Sequence, residues 1–552
     1  MKVVPSSFAT ICTKQCKAEL IGFLLSLSIH HRGAKVYIMC DKETKENVDR
    51  MSYMPELELC WSVSLDKYSN YNRDEMTKLG IWSEFQMAKS YILDIALEEC
   101  NDCMFLDSDT IITDVMNDVD DSKEIGVSPG FINEVTYRQV GYYNGGMLWT
   151  KNKEVPKLWR KYTETSRYFD QASIEDLVKH FTKGEEKQYF EFGEEYNVQS
   201  WRFIVGAEPT NVVVSHLKHD VSKQKILYKS KTIKFIHTHF HEDRFRPINT
   251  MFLNVLKQAK MFKELLCISR MVNKKWIIQI PKQPMVGIAR HKNDSFREIP
   301  LLLRKYHEDI DIILDDKSMH CKLHPNIILY DRPTLEWVNQ EVPSCSLMLL
   351  GNGDIEKEGT TLKEKIPHFN VVPWTFWPRR PMLVESILEK HGTLSYDDRE
   401  VESIFIGNYE NVVQQKYRVT NDDWDKFIEE FHNTAGHVHK FTHEEYIMKL
   451  RTSKYGLCLR GYGSKCHREV ELMAVGTVPI VTPEVSIKSY MDPPKENVHY
   501  IQVNNASEIP EKLKLISKEK WCEMSNECKN WYMRNVHSKK MWNSMIQYIF
   551  NM

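Results

Sequence analysis

Residues 103–112, Cys-Met-Phe-Leu-Asp-Ser-Asp-Thr-Ile-Ile, decide the fold of the amino-terminal half of this chain. A short apolar run that ends in two acids is typical of a core strand whose carboxyl end emerges from a sheet, where open α/β sheets bind ligands. Asp107 and Asp109 are one residue apart, so both carboxylates can reach one hard divalent cation, which can also hold a diphosphate. Such a cation stabilises negative charge on a departing nucleotide. The alternative interpretation is a solvated turn, because charged residues often follow a strand.

The sequence on either side of this segment predicts parallel α/β structure. Residues 3–12 are apolar, a helical pattern follows with Leu20, Phe23, Leu24 and Leu27 on one face, and residues 36–40 are apolar again. A second stretch with this strand and helix pattern begins near residue 276. It has apolar runs at 276–280, 285–289, 312–314 and 327–330, with a helical pattern over 299–306. We therefore predict two independent α/β units, joined by a helical stretch near residues 255–275.

Length and composition exclude several classes of protein. The 552 residues allow two to four domains at roughly 100–200 residues each. Lys plus Arg number 74 against 76 Asp plus Glu, so no basic field exists to attract a nucleic acid. The 13 cysteines are an odd number, which favours reduced thiols in a reducing compartment. The apolar stretch 20–29 is too short to span a bilayer, and we expect a cytoplasmic protein, in the host cytoplasm if it is viral.

Three later segments add polar groups that could join the two aspartates. Gly141–Trp149 places a glycine pair and the amide of Asn144 before an apolar strand, where the backbone can come close to a bound sugar. Phe169-Asp170-Gln171 begins a helix, with Asp170 suited to the N-cap and to the positive end of the helix dipole. Residues 233–236 predict a strand that runs into His237-Thr238-His239-Phe240-His241.

These histidines offer a further metal ligand. If the strand continues, alternation places His237, His239 and His241 on one face. An imidazole there could complete a coordination sphere begun by Asp107 and Asp109. We predict His237 as the ligand, because it directly follows the apolar run, and His239 as the reserve candidate. A row of satisfied surface histidines is the alternative.

The amino-terminal motifs resemble those of the GT-A fold glycosyltransferases, particularly the glycogenin-like family and its nucleotide-diphospho-sugar transferase relatives. The resemblance covers roughly residues 1–250 and rests on four stretches in family order, FATICTK, FLDSDT, YYNGGMLW with FDQ, and FIHTHF. Lys89, in WSEFQMAKSYIL, matches a family lysine near the sugar diphosphate.

This resemblance implies transfer of a sugar from a nucleotide donor, a UDP- or GDP-sugar, to a glycan or glycoprotein acceptor. It also implies that Asp107, Asp109 and His237 bind Mn²⁺ or Mg²⁺. The catalytic residues that it places on the sugar and acceptor side are Asn144, Asp170 and Gln171. The family's usual His-Phe-x-Gly and Lys-Pro-Trp ending is not present as such.

Residues 442–482 carry a second informative pattern. Thr442 followed by Glu445 is a capping box that begins a helix. The segments predicted after it are a strand at 454–459, a Gly-rich basic loop at 460–467, a helix over 468–475 with Gly476 as its stop, and a strand at 478–482.

A strand, a Gly-rich basic loop and a helix N-terminus together favour phosphate binding, because free backbone N–H groups and the helix dipole point at the anion. Arg460, Lys465 and Arg468 add positive charge around Gly461. Glu471 lies one turn after Arg468 and could accept hydrogen bonds from ribose hydroxyls, as in dinucleotide sites. Such a site needs no metal to neutralise a departing nucleoside diphosphate. A plain turn is the alternative.

The stretch SKYGLCLRGYGSKCHREVELMAVGTVPIV resembles the second Rossmann half of the GT-B glycosyltransferases, and most of all the exostosin family. Its matching residues, in family order, are Ser453-Lys454, Arg460-Gly461, Arg468-x-x-Glu471 and Gly476-Thr477-Val478-Pro479. The family usually has Pro at Leu459 and Cys at Thr477. Lys416 and Arg418 fall where it often has basic residues facing the donor phosphates. The match is good over about 405–505 and poor over 275–400, where the acceptor domain would be.

Other polar and aromatic segments of this half remain open. His291, Asp294 and Glu298 follow an apolar strand, as the acceptor-side base of a GT-B enzyme does, or they form loop surface. The aromatic run 372–378 could stack on sugar rings or fill space between domains. The tail 518–552 has tryptophans at helical spacing and is predicted to pack back across its own domain.

The predicted fold class is α/β, with a GT-A domain that has one Rossmann-like nucleotide-sugar fold and a GT-B domain that has two Rossmann-like halves. The predicted segments are a GT-A domain at 1–255, a helical connector at 256–274, an acceptor-side half at 275–400 and a donor half at 401–552. The predicted protein is a bifunctional glycosyltransferase with a metal-dependent and a metal-independent site. The alternative is one active GT-A enzyme whose carboxyl-terminal half is a silent module that binds the acceptor.

Overall fold

The computed structural model describes residues 2–53, 55–183, 186–240, 242–281, 294–315, 327–330, 347–350, 370–373, 378–418, 422–434, 440–461 and 465–551. The chain divides into two compact units, of which the first reaches residue 276 and the second begins at residue 277. Within the described ranges, each helix is too short or too polar to cross a lipid bilayer.

A seven-stranded sheet forms the centre of the first unit. Its strands are β1 (Ser7–Cys12), β2 (Lys35–Cys40), β3 (Glu58–Val63), β4 (Cys103–Leu106), β5 (Ile125–Pro129), β6 (Tyr143–Thr150) and β7 (Tyr189–Glu191). Their order across the sheet is β7-β5-β6-β4-β1-β2-β3. Strand β6 runs antiparallel to both β4 and β5, and the remaining pairs are parallel. The predicted core strand that precedes Asp107 is therefore confirmed as β4.

The sheet has a switch point between β1 and β4. The chain builds β1, β2 and β3 outward in one direction and then returns to place β4 on the other side of β1. Loops that leave the carboxyl ends of two such strands diverge and leave a crevice between them. The residues that follow β4 therefore emerge at the edge of the sheet where this class of fold binds its ligands.

Helices cover both faces of this sheet. The longer helices of the first unit are Lys17–His30, Lys42–Asp49, Ala88–Glu99, Val155–Thr163, Arg246–Gln258 and Phe262–Asn273. The shorter ones are Arg73–Lys78, Trp82–Gln86, Glu134–Val140, Phe169–Ala172, Ile174–His180, Ser200–Ile204 and Thr210–His216. One face packs into a core that includes Ile92, Leu93 and Ala96 of Ala88–Glu99 and Trp159 of Val155–Thr163. The apolar stretch 20–29 lies within the buried helix Lys17–His30, as predicted.

Smaller sheets complete the first unit. A three-stranded sheet contains Val198–Gln199, Phe235–His237 and Thr110–Ile112, in that order. A second one contains Leu217–Asp220, Lys225–Tyr228 and Lys231–Thr232, and two-stranded sheets pair Lys2–Val3 with Val119–Asp120 and Thr182–Lys183 with Glu186–Lys187. The first of these sheets matters for the site, because it brings the predicted histidine segment beside the residues that follow β4.

The helical stretch predicted near residues 255–275 consists of the end of one helix, Arg246–Gln258, and of a second helix, Phe262–Asn273. Lys260 lies between them with a φ of 58°, a left-handed conformation that ends the first helix. The second helix packs against Lys17–His30, and the Nε2 atom of His30 lies 2.9 Å from Oε1 of Glu264.

The described strands of the second unit form two five-stranded sheets. The first contains β8 (Trp276–Pro281), β9 (Ile310–Asp315), β10 (Ile327–Tyr330), β11 (Leu347–Leu350) and β12 (Asn370–Pro373). The second contains β13 (Val401–Gly407), β14 (Glu430–Asn433), β15 (Ser453–Cys458), β16 (Val478–Val481) and β17 (Ile501–Gln502). Their orders are β9-β8-β10-β11-β12 and β14-β13-β15-β16-β17, so the same strand order occurs twice. It is a common order of doubly wound α/β units.

The helices of the second unit include those with the predicted capping box and the predicted glycine stop. They are Asp294–Tyr306, Pro381–His391, Val412–Gln415, His443–Arg451, His467–Ala474, Ile509–Lys514, Lys518–Asn535 and Met541–Asn551. The capping box of Thr442 and Glu445 is confirmed, and Gly476 has a φ of 73° after the helix that it was predicted to stop. The tail tryptophans Trp521, Trp531 and Trp542 are buried, as predicted. The predicted run 285–289 lies outside the described residues.

Candidate active site

The candidate site of the first unit begins directly after β4. This strand ends at Leu106, Asp107–Asp109 form a turn, and the short strand Thr110–Ile112 follows. The backbone N–H of Asp107 donates a hydrogen bond of 3.0 Å to the carbonyl of Gly146, and the hydroxyl of Thr110 donates one of 3.0 Å to the carbonyl of Asp107. These bonds hold the turn at the carboxyl edge of the sheet.

Strand β6 brings the Asn-Gly-Gly motif to the same edge. Leu106 pairs with Met147 in the antiparallel ladder between β4 and β6. Because the two strands run in opposite directions, the first residues of β6 lie beside the last residues of β4. Asn144, Gly145 and Gly146 are therefore adjacent to the aspartate turn, as the resemblance implied.

A separate strand delivers the first histidine. Phe235–His237 pairs antiparallel with Thr110–Ile112, and this register places His237 opposite Thr110. The Nε2 atom of His237 lies 2.7 Å from Oδ1 of Asp109 and 3.9 Å from Oδ2 of Asp107. The imidazole is 4% exposed, and its Nδ1 atom is buried without a hydrogen-bond partner. The three residues predicted as metal ligands are thus brought together.

His239 joins this cluster by a route that the sequence pattern did not predict. The strand ends at His237, and His239 has a φ of 46°, so strand alternation does not continue to His241, which lies outside the described residues. The rings of His237 and His239 stack with centroids 4.5 Å apart. Nδ1 of His239 lies 2.9 Å from Oδ2 of Asp109. His239 therefore reaches Asp109 through a left-handed backbone conformation and not through a continued strand.

Charge pairing dominates the electrostatics of this cluster. Burial acts to raise the pKa of Asp109, but the two imidazoles outweigh it and hold the pKa well below its ordinary value. Burial acts to lower the pKa of His237, but the Asp109 and Asp107 carboxylates outweigh it and raise the pKa. Asp109, His237 and His239 each offer a ligand atom, and these atoms lie within 4.8 Å of one another. The arrangement keeps the Asp109 carboxylate ionised beside the two imidazoles.

Lys89 links the aspartate turn to the predicted sugar side. It lies in the first turn of the helix Ala88–Glu99, which runs back from the carboxyl edge of the sheet. Its Nζ atom lies 3.1 Å from Oδ1 of Asp107 and 3.0 Å from Oδ2 of Asp170, and it donates a 3.0 Å bond to the carbonyl of Gly145. Burial acts to lower the pKa of Lys89, but both carboxylates outweigh it and raise the pKa above its usual value.

Asp170 does not cap a helix as predicted. The short helix is Phe169–Ala172 with Tyr168 as its N-cap, so Asp170 lies inside the first turn. Its carboxylate is turned to Lys89, while its backbone carbonyl accepts bonds from Trp159 Nε1 at 2.9 Å and from the Ser173 hydroxyl at 2.7 Å. Burial raises the pKa of Asp170 although the Lys89 ammonium acts to lower it.

Asn144 and its neighbours provide further polar groups at the candidate site. The Oδ1 atom of Asn144 accepts the Gly146 N–H at 2.7 Å, and its Nδ2 atom donates to Oε1 of Gln199 at 3.0 Å. Gln199 is 4% exposed and pairs with His237 in the three-stranded sheet. Sequence reasoning missed Gln199, because no motif marks it and only the strand pairing places it here. Gln171 follows Asp170 and is half-buried.

The glycine pair leaves space among these side chains. A Cβ atom at Gly146 would lie 2.7 Å from Oδ2 of Asp107, 2.8 Å from Oδ1 of Asn144 and 3.0 Å from Cε1 of His237. A Cβ atom at Gly145 would lie 2.6 Å from Oδ2 of Asp170. These three distances to oxygen are shorter than real contacts, so an added Cβ atom at either position would displace the side chains beside it.

The second unit places Arg468 and Glu471 against protein groups. Arg468 donates from Nη2 to the carbonyl of Ile406 at 2.8 Å, and its guanidinium lies 4.5 Å from the ring centroid of Phe405. Glu471 accepts the Arg379 N–H at 3.0 Å with one oxygen and the Tyr446 hydroxyl at 2.9 Å with the other. Both oxygens that were predicted to accept ribose hydroxyls therefore hold protein donors.

The other predicted donor-site residues vary in exposure. Arg418 is buried, and its guanidinium donates to the carbonyls of Arg460 at 3.1 Å and Tyr409 at 2.8 Å, so it braces two loops. Burial lowers the pKa of Arg418. Lys416 is exposed, and the Arg460 guanidinium lies 4.8 Å from the Tyr417 ring centroid.

In the Gly-rich loop 460–467, the described contacts include a hydrogen bond to a thiol. Gly461 N–H donates to Sγ of Cys466 at 3.1 Å, and residues 462–464 lie outside the described part of the chain. Lys465 is fully buried, with Nζ 4.6 Å from the ring centroid of Tyr490. The helix begins at His467, so Arg468 lies in its first turn, as predicted.

Glu298, one of the predicted acceptor-side base residues, is bonded to protein groups. Glu298 accepts the Nε–H of Arg380 and the backbone N–H of Met382, both at 2.9 Å, and so caps the helix Pro381–His391. Asp294 begins the helix Asp294–Tyr306, and His291 lies outside the described residues. Of the aromatic run, 374–377 also lie outside them.

No protein-family model and no curated protein matches this chain. Among solved structures, the glycosyltransferase GlyE of Streptococcus pneumoniae TIGR4 aligns at 11% identity over 94% of this chain and 99% of its own, with a TM-score of 0.30. The galactosyltransferase LgtC, solved with donor and acceptor sugar analogues, aligns at 14% identity over 42% of this chain and 86% of its own, with a TM-score of 0.29. The bifunctional glycosyltransferase WbbM aligns at 13% identity over 43% of this chain and 46% of its own, also with a TM-score of 0.29. Likenesses this low carry no weight for the function of this chain, which is inferred below from its own residues.

Proposed function

We propose that the first unit is a metal-dependent glycosyltransferase of the GT-A type, which transfers a sugar from a UDP- or GDP-sugar to a glycan or glycoprotein acceptor. The observation that carries this proposal is the convergence of Asp107, Asp109 and His237 with Lys89 and Asp170 at the switch point of the sheet. An acidic and imidazole cluster beside a buried ammonium suits a cation and a diphosphate together.

The residues fit a divalent cation. Asp109, His237 and His239 offer ligand atoms within 4.8 Å of one another, and Asp107 borders them. Gly146 keeps the space beside Asp107 and His237 open, because a Cβ atom there would contact both. Carboxylate with imidazole favours Mn²⁺ over Mg²⁺, since Mg²⁺ prefers an all-oxygen shell. When bound, such an ion would offset negative charge on the departing nucleoside diphosphate.

The chain's own residues then have separable roles. Lys89 lies between Asp107 and Asp170, so its ammonium adds positive charge beside the cation site, which favours a diphosphate there. Asn144 and Asp170 present an amide and a carboxylate that can hydrogen-bond sugar hydroxyls, with Gln171 next to them. In the transfer, the bond from the anomeric carbon to the diphosphate oxygen breaks, a bond to an acceptor hydroxyl oxygen forms, and the departing diphosphate takes up the hydroxyl proton.

For the second unit we propose an exostosin-like GT-B activity that needs no metal. Arg460 and Arg468 flank the start of the helix His467–Ala474, where cations and backbone N–H groups together favour a diphosphate. Its two sheets of the same strand order support the two halves that such a fold requires. The whole chain would then add successive sugars to one glycan.

A second candidate function has an observation in its favour. Glu471 already accepts hydrogen bonds from Tyr446 and the Arg379 backbone, and the Arg418 guanidinium donates hydrogen bonds to loop carbonyls. Groups committed in this way hold loops in place without reacting with a substrate. On this view the second unit binds the acceptor glycan and transfers no sugar.

The proposal for the first unit is tested by donor turnover of the full chain. Individual UDP- and GDP-sugars are incubated with Mn²⁺ or with EDTA, and release of UDP or GDP is measured. We expect EDTA to abolish release from one donor, and Asp109→Asn to reduce it at least about 100-fold, because the variant loses an anionic ligand that also orients both imidazoles.

The matched control is Asp74→Asn, which changes an exposed acid in the first turn of the helix Arg73–Lys78. This variant should retain wild-type release. The proposal fails if no UDP- or GDP-sugar is turned over, or if turnover of every donor is unchanged both by EDTA and by Asp109→Asn.

A further inference from the structure

A second cavity lies in the first unit, on the side of the helix Ala88–Glu99 that faces away from the candidate site. It has a volume of about 710 Å³, within the usual range of small-molecule sites. The helix lines it with Ala88, Tyr91, Asp94 and Ile95, whose three- and four-residue spacing defines one face. Lys89 leaves the opposite face toward Asp107 and Asp170, so the cavity and the site share one helix.

Two cations flank this cavity, and each is stacked on an aromatic ring. The Arg160 guanidinium lies 4.4 Å from the ring centroid of Tyr91, and its Nη1 atom is 2.6 Å from Oδ2 of Asp94. The Lys67 ammonium lies 4.7 Å from the ring centroid of Tyr68 and is paired with Glu84. Tyr91 is 53% exposed, so a ligand in the cavity can reach it.

The balance of charge selects the kind of ligand. The charged residues that line the cavity are Lys67, Glu84, Asp94, Arg160 and Glu164, two cations against three anions. Both cations already have a carboxylate partner, so a phosphate or a nucleotide finds no unpaired positive charge. An apolar ligand would have to desolvate these ions without replacing their hydrogen bonds. A neutral ligand rich in hydroxyls meets both requirements, because its hydroxyls can donate to carboxylates and accept from cations while its C–H faces lie on the rings.

We infer that this cavity binds a neutral oligosaccharide, as a second glycan-binding site outside the Asp107–Asp109 centre. Its role rests on the proposed function: the oligosaccharide would be a remote part of the acceptor glycan. Tyr91 supplies the exposed stacking surface, and the Arg160–Asp94 pair supplies donors and acceptors side by side.

A series of hydrogen-bonded groups connects the cavity to the candidate site. Thr163 lines the cavity, and its hydroxyl lies 2.9 Å from that of Ser173, which in turn donates 2.7 Å to the carbonyl of Asp170. Trp159, next to Arg160 in the helix Val155–Thr163, donates to the same carbonyl. A glycan held by this helix therefore contacts the element that positions Asp170.

The experiment measures binding of four defined probes to the full chain: maltotetraose, cellotetraose, mannotetraose and N-acetylchitotetraose. Saturation-transfer NMR titrations give the Kd of each. We expect at least one probe to saturate, and Tyr91→Ala to raise its Kd about tenfold because the exposed ring is lost. Asp94→Asn, which keeps the shape but removes an anionic acceptor, should also raise the Kd.

The matched control is Tyr71→Ala, which removes another tyrosine of the same unit, 36% exposed and absent from the cavity wall. It should leave the Kd unchanged. The inference is overturned if no probe saturates, or if Tyr91→Ala binds the probes as tightly as the wild type does. Thermal unfolding midpoints show whether a variant that loses probe binding has also lost its fold. If Tyr91→Ala is unfolded, the Kd measured with Asp94→Asn tests the inference in its place.

A separate titration with UDP and with GDP in the presence of Mn²⁺ distinguishes the two proposals. If neither nucleotide binds but a tetrasaccharide binds in a Tyr91-dependent way, the proposed transferase function fails and the cavity inference stands. If nucleotide binds and responds to Asp109→Asn while no tetrasaccharide binds, the cavity inference alone fails.

Discussion

Lys89 shows how one buried charge organises the candidate site. A lone buried ammonium is costly by several kcal/mol, and it is tolerated only when hydrogen-bonding anions surround it. Here the side chain is 3% exposed and meets Asp107, Asp170 and the Gly145 carbonyl. These three groups follow or belong to three separate elements, so one buried charge fixes their positions relative to one another.

His31 gives a pH-dependent prediction at the scale of one residue. It is 7% exposed, its Nε2 atom accepts the Met116 N–H at 3.0 Å, and it packs edge-on to Phe8. Burial lowers the pKa of His31 to about 4, helped by His30 and Lys234 and opposed by Asp114. The unfolded chain binds the proton at higher pH, so this contribution to stability is fully present above pH 6.5 and is lost as the pH falls toward 4.

The shift corresponds to about 3 kcal/mol over that interval. We expect the thermal midpoint of the wild type to fall more steeply between pH 6.5 and 4.5 than that of His31→Gln, whose amide oxygen can accept the same N–H. The exposed His219→Gln should keep the wild-type slope. Parallel slopes for the wild type and His31→Gln would show that His31 is not the group responsible.

At the scale of the element, β6 leaves space beside the Asp107 carboxylate because it has glycine at position 146. A Cβ atom at Gly146 would lie 2.7 Å from Oδ2 of Asp107, and this oxygen is the free end of a side chain that can move. We therefore predict that Gly146→Ala folds but displaces the Asp107 carboxylate, and that it lowers sugar transfer about 100-fold, as misplacements near 1 Å do.

The comparison is with Gly130→Ala, where the nearest atoms to an added Cβ are 3.4 Å away, in ordinary contact. Transfer rates and thermal midpoints are measured for both variants. Gly130→Ala should match the wild type in both measurements. A Gly146→Ala variant with wild-type transfer would show that the position of Asp107 does not matter to the reaction.

At the scale of the whole molecule, the two units carry two different kinds of candidate site. Asp109 and Arg468 lie in separate compact units. If both units are transferases, Asp109→Asn removes only the chelator-sensitive activity and Arg468→Ala only the chelator-resistant one, each with its own donor. Product analysis with the full chain and both donors measures this.

Two other outcomes have definite meanings. If either variant abolishes both activities, the sites are not independent. If Arg468→Ala raises the KM for the acceptor and leaves all transfer rates unchanged, the second unit is the silent binding module. Glu471→Gln serves as a companion variant, because it tests whether an acid already bonded to Tyr446 and Arg379 contributes to either result.

Local signals in the sequence predicted most of the elements that carry these sites. The capping box at Thr442, the stop at Gly476 and the core strand before Asp107 are all present in the structure. Each depends on a few neighbouring residues, so its cause is contained in the sequence that shows it. The N-cap at Asp170 was wrong, because Tyr168 holds that position and the Asp170 carboxylate pairs with Lys89, which is distant in the chain.

The sequence by itself determined the core strand before Asp107, the capping box at Thr442 and the helix stop at Gly476, because each depends on a few neighbouring residues. Only the tertiary structure decided their pairing: Asp109 with both His237 and His239, Asn144 with Gln199, and Glu471 with protein donors in place of a ligand. The physical reason is that these contacts join residues far apart in the chain. They depend on strand register and on competition among buried charges, and no short stretch of sequence encodes either of them.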